Sequence, residues 1–204
     1  MEIHEQIVEN PQDSFLVIRK RKPKFEFKDE PEVLQISTEQ DFNAVQKIAH
    51  AYSKDYPQGE TQLDTFKKVG SQIGGDFQFF DKGVGANTLA GQMQNNTPEN
   101  RDCKLPTFLL ATTWNEIVGS DTANIVFLNS NLAHPYVETE FEGQKIFGHF
   151  TKPHPDDVNP RSQFEMLGQK ETADLLRFKS LGRATSFDIS PSGMAGIDEM
   201  FSRI

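Results

Sequence analysis

The sequence predicts an α+β domain: a mostly antiparallel sheet, two helices in the N-terminal half and a short C-terminal helix. Three observations carry this reading. Apolar residues recur at helical spacing over 42–52 and again over 63–73. They alternate with polar residues at strand spacing over 24–28, and 137–141 and 145–150 read as a hairpin. The composition is that of a folded domain: 36% hydrophobic and 25% charged, with 14 Gly and 11 Pro in 204 residues. That balance excludes a collagen-like chain, a coiled coil and wholesale disorder. One domain over 1–204 is expected, with an extended segment over 151–162.

Taken in order, the elements begin with β structure. Phe15, Leu16, Val17 and Ile18 form an apolar run, and Phe25 and Phe27 then alternate with Lys24, Glu26 and Lys28. Val33, Leu34 and Ile36 suggest a further short strand. The basic residues between Arg19 and Lys28 suit a charged edge strand that resists aggregation. Thr38 and Asp41 make a capping-box pattern before the stripe Phe42, Val45, Ile48, Ala49 and Tyr52. Thr61 and Asp64 repeat that pattern before Leu63, Phe66, Val69 and Ile73, and Gly74 and Gly75 are expected to stop this second helix. A strand is expected around Phe77, Phe79 and Phe80, and a polar surface loop, open to proteolysis, over 92–101.

The stretch 105–118 fits two states. It reads as a helix with Pro106 in its first turn, or as a buried strand over 108–113. Ile125 to Leu128 is a strand, and Val137 to Phe141 and Lys145 to Phe150 form a hairpin around Glu142 and Gly143. Pro153, Pro155 and Pro160 favour extended chain. A helix over 171–179, a strand over 185–189 and a helix over 198–204 complete the chain.

Charge and cysteine content narrow the function. The net charge of −9 argues against nucleic-acid binding, which needs clustered Lys and Arg. A single cysteine allows no intrachain disulfide and suits a reducing, cytoplasmic setting. Neither an apolar run of ~18 residues nor a leader pattern is visible, so neither a membrane span nor a signal peptide is expected. Of the 17 Phe, most are expected in the core, because phenylalanine is buried without needing a hydrogen-bond partner.

Cys103 is the first candidate catalytic residue. If 105 onward is helical, the thiol sits at a helix N-terminus, where the partial positive charge favours thiolate. A papain-like cysteine hydrolase uses that geometry, with a histidine on a later strand and a polar group to orient it. His149 lies on the expected strand 145–150, Asp156 or Asp157 is placed to orient it, and His134 competes as the base.

Glu138-Thr139-Glu140, preceded by Thr112 and Thr113 and by Arg19 or Arg21, resembles the mono-ADP-ribosyltransferases in the order of its parts. The resemblance implies an NAD-dependent transfer to a protein, with Glu138 and Glu140 as the working carboxylates. Asp188, Ser190 and Gly193 resemble the Asp-x-Ser-x-x-Gly motif of PilZ domains, which bind cyclic di-GMP. Read without that likeness, the same string is a strand followed by a Ser/Pro/Gly turn, with a capped C-terminal helix over 198–204. His149, His154, Asp156 and Asp157 lack a zinc spacing, and Gly83-Val-Gly85 lacks the Lys of a phosphate loop. No metal or cofactor is therefore expected. The function expected first is a soluble intracellular or virion-associated interaction module that meets a protein partner. The alternatives are the cysteine hydrolase of Cys103, His149 and Asp156, and the transferase of Glu138 and Glu140.

Overall fold

A computed structural model describes residues 39–76, 103–129, 131–151 and 163–202. The strands expected before Thr38, the one around Phe77 to Phe80, the polar loop 92–101 and the prolines of 153–160 lie outside the described residues. Within them the α+β expectation holds. Five helices surround a five-stranded, wholly antiparallel sheet.

Helix α1 (Glu39–Lys54) buries Phe42, Val45 and Ala49, while Ile48 and Tyr52 are half-buried against the same core. Helix α2 (Gln62–Asp76) starts where Thr61 accepts the backbone N–H of Asp64 through its hydroxyl at 3.1 Å. It does not stop at Gly74 and Gly75. Each glycine costs a helix about 1 kcal/mol relative to Ala, but packing of Ile73 and buried Gly74 outweighs that. The Tyr52 hydroxyl donates to Asp76 at 2.9 Å and ties down the last turn.

The ambiguous stretch is helix α3 (Lys104–Val118). Residues 105–114 are all buried, because α3 lies between the first two helices and the sheet. A helix covered on every side shows no amphipathic stripe, which is why its periodicity is unreadable in sequence. Gly119 closes it in the left-handed conformation (φ 67°) and donates its N–H to the Asn115 carbonyl.

The strands are β1 (Asn124–Leu128), β2 (Asn131–Phe141), β3 (Gln144–Thr151), β4 (Gln163–Met166) and β5 (Ala184–Asp188), in the spatial order β4-β3-β2-β1-β5. The β2–β3 hairpin turns at Glu142 (φ 52°) and Gly143 (φ 78°), the positive-φ pair of a two-residue turn whose twist matches the strands. Between β1 and β2 the register breaks. Phe127 faces Pro135 but Leu128 faces Asn131, so residues 132–134 bulge from the ladder. Helix α4 (Gln169–Ser180) connects β4 to β5. Helix α5 (Pro191–Ser202) begins seven residues before the expected Asp198, because Pro191 supplies the preset φ of a first helical position and Ser190 caps it.

The sheet has two covered faces. One carries Ile125, Phe127, Val137, Phe141 and Phe150 against α1, α2, α3 and Ile197 of α5. Its centre is an aromatic cluster in which Phe66 meets Trp114, Phe141 and Phe164 at ring distances of 5.2, 5.7 and 5.6 Å. The other face carries Val126, Tyr136 and Phe147 against Leu175 and Phe178 of α4. Among the described residues, no helix is long and apolar enough to cross a membrane.

Candidate active site

Cys103 is the N-cap residue of α3 and is buried, at 7% exposure. Its carbonyl is held by Thr107, which donates both its backbone N–H (3.3 Å) and its hydroxyl (2.6 Å). The first N–H groups of a helix have no intrahelical acceptor, and in α3 these include those of Lys104 and Leu105, which directly follow Cys103. Pro106 has none to present.

The imidazole facing the sulfur belongs to His134. Its Nδ1 lies 3.5 Å from Sγ, and its Nε2 lies 2.7 Å from Nδ1 of His149. The two rings are perpendicular, with centroids 5.0 Å apart. Strand geometry explains the convergence. His134 ends the bulged segment of β2, and bulges commonly re-aim a side chain next to a site. Tyr136, two residues on, stacks on His149 at 5.4 Å and 22° and meets His134 edge-on at 5.1 Å. On β4, Glu165 pairs in register with His149 of β3, and its Oε2 lies 3.9 Å from His149 Nε2.

The electrostatics favour the neutral forms of His149 and Tyr136. Burial lowers the pKa of His149 below the usual imidazole value, against the opposing pull of Glu165 and Glu171. The Tyr136 phenol is pushed up to about 12, first by burial and then by the negative charges of Cys103 and Glu171, so it remains protonated.

The sequence-predicted residues therefore meet in part. Cys103 and His149 join one cluster, His134 stands between them, and Asp156 lies outside the described residues, as do His154 and Asp157. Tyr136 and Glu165 were not singled out. The signal for Tyr136 was the hairpin: counting outward from Glu142 and Gly143 sets it across from His149. Glu165 had no comparable signal, because β4 is four residues long, and so short an alternation of Phe164 and Met166 with Gln163 and Glu165 does not announce a strand.

The other constellations are occupied differently. Glu138, 1% exposed, is ion-paired to Lys179 and to Lys145 (3.1 Å) and accepts the Ser186 hydroxyl at 2.9 Å. Burial alone would raise its pKa, but these three partners together hold it below the usual carboxylate value. Glu140 sits half-exposed, 3.7 Å from Lys145. Thr112 donates to the Phe108 carbonyl within α3. In the string resembling PilZ, Ser190 donates to Asp188 (2.5 Å) and accepts the Gly193 N–H (3.0 Å), which is a helix cap. No group of three metal-ligating side chains occurs among the described residues. A groove of about 240 Å³ lined by Gln46, Asn115, Glu116 and Asp121 lies at the other end of α3, about 20 Å from Cys103 by helical rise.

A scan against protein-family models, a search of curated proteins and a search of solved structures each return no match.

Proposed function

We propose that the chain is a cysteine hydrolase of the Cys–His type: Cys103 is the nucleophile, His134 the general base and acid, and His149 the group that orients His134. One observation carries the reading, the unbroken line of contacts from the Cys103 sulfur through both nitrogens of His134 to His149. A nucleophile within reach of a base that is itself held by a third group is the arrangement nucleophilic catalysis requires.

The chemistry follows from the geometry. His134 Nδ1 takes the thiol proton, and the thiolate is steadied by the positive end of α3. The sulfur adds to the acyl carbon of an amide or ester, and the N–H groups at the start of α3 face the oxyanion that forms. His134 returns its proton to the leaving amine or alcohol, which departs and leaves a thioester. Water, deprotonated by His134, then releases the carboxylic acid and restores the thiol. Throughout, neutral His149 accepts the Nε2–H of His134 and supports the imidazolium.

The interaction-module reading draws on the net charge of −9. Its apolar support is thin: among the described residues the exposed large hydrophobic side chains are Leu176 and Leu181, ordinary for a soluble surface.

Alkylation of Cys103 by iodoacetamide across pH tests the proposal. The expected profile retains reactive thiolate well below the ordinary thiol value of about 8.5, and His134→Ala abolishes that low-pH limb. A single inflection near the free-thiol value, unchanged by His134→Ala, overturns it.

A further inference from the structure

Resting on the hydrolase reading, we propose that Glu165 is a positioning residue that sets the tautomers of both imidazoles from the far end of the line. Each histidine has one N–H to place when neutral, and only one placement leaves a lone pair facing the thiol. If His149 carries its proton on Nε2, its Nδ1 is an acceptor for His134. His134 must then carry its proton on Nε2, and its Nδ1 faces Cys103 unprotonated. The opposite placement on His149 points N–H at His134 Nε2, moves the His134 proton to Nδ1 and removes the base from the sulfur.

Glu165 biases that choice. Its carboxylate oxygen Oε2 faces Nε2 of His149 at 3.9 Å, so negative charge draws the proton to that nitrogen. The carboxylate is itself held in place. Oε1 accepts the Thr151 hydroxyl at 3.1 Å, leaving Oε2 for His149, and the strand register sets Glu165 directly across from His149. Phe164, its neighbour, wedges β4 between two glycines: a Cβ at Gly70 or at Gly148 would approach its ring to 2.5 Å.

The other groups around His149 do not replace Glu165. From β2 come His134, its hydrogen-bond partner, and Tyr136, which offers a ring face. From α4 comes Glu171, whose Oε2 accepts the Gly168 N–H at 2.8 Å. Cys103 lies beyond His134.

Nitrogen-15 NMR of the histidine rings in the full chain, with iodoacetamide alkylation of the same samples, tests this. In the parent protein above the imidazole titration, both His134 and His149 should be Nε2–H tautomers. Glu165→Gln should give mixed tautomers at His149 and His134 and slow Cys103 alkylation at neutral pH by roughly tenfold or more. Glu165→Asp, which keeps the charge, should restore much of both, whereas an effect on folding alone would not track charge. Unchanged tautomers in Glu165→Gln, verified as folded by its thermal melt, overturn the proposal. The NMR arm does not depend on thiol reactivity, so an unreactive Cys103 would defeat the hydrolase reading and leave the tautomer result standing.

Discussion

His149 feels opposed influences: burial favours its neutral ring, while Glu165 and Glu171 favour the cation, and burial wins. The short contact to His134 adds a chemical reason, since a proton on Nδ1 of His149 would set N–H against N–H. Its pKa in the folded protein is therefore below that in the unfolded chain, so the unfolded state binds more protons between the two values. Stability from this group is complete above about 6.5 and is lost as pH falls from there through the folded value. Thermal melts should show a falling midpoint on acidification from neutral pH through that window, and His149→Gln, which does not titrate, should flatten the fall. An equal slope in both proteins would mean that His149 is not held neutral. At this scale the sequence was informative about Cys103 and about the supply of histidines. It could not rank His134 above His149, because that order depends on the bulge at residues 132–134, which no local pattern announces.

At the scale of elements, β4 shows how a short strand is placed. Its four residues bring little propensity of their own, and Phe164 supplies the anchor by packing against Phe66 and Phe150 and over Gly148 and Gly70. Gly148→Ala should displace that ring and cost about 1–3 kcal/mol, the range for overpacking. It should also slow Cys103 alkylation, because Glu165 moves with the strand. Loss of stability with unchanged thiol reactivity would separate the wedge from the site. Helices with one exposed face, α1 and α2, were readable from their stripes, as were the strands of the β2–β3 hairpin. Helix α3 was readable only as one of two states, because it is buried all round over 105–114, and strand β4 was not, because it is too short to show a period. Ile48 marks the resolution of such reasoning. It belongs to the predicted stripe, yet Ala49 takes the fully buried place and Ile48 is only half-buried. Its truncation to alanine would therefore fall below the cost of a full core deletion.

For the whole molecule, the decisive arrangement is a sheet covered on both faces, with the larger core under α1, α2 and α3 and the smaller under α4. The smaller layer is joined to the sheet by a buried charge as well as by Leu175 and Phe178: Lys179 of α4 reaches Glu138 on β2. Lys179→Met would strand the carboxylate with only Lys145 and Ser186, and breaking a buried pair from one side costs about 3 kcal/mol or more. Chemical denaturation should show that loss, and Glu138→Gln in the same background should recover part of it by removing the orphaned charge. On the larger side, Trp114 is the chain's one tryptophan, edge-on to Phe66 and Phe141 and almost wholly buried in the middle of α3. Its fluorescence is consequently a private optical channel to the helix that carries Cys103. A red shift in emission would announce α3 leaving its seat, and a steady spectrum during inactivation would locate the damage in the side chains around the sulfur.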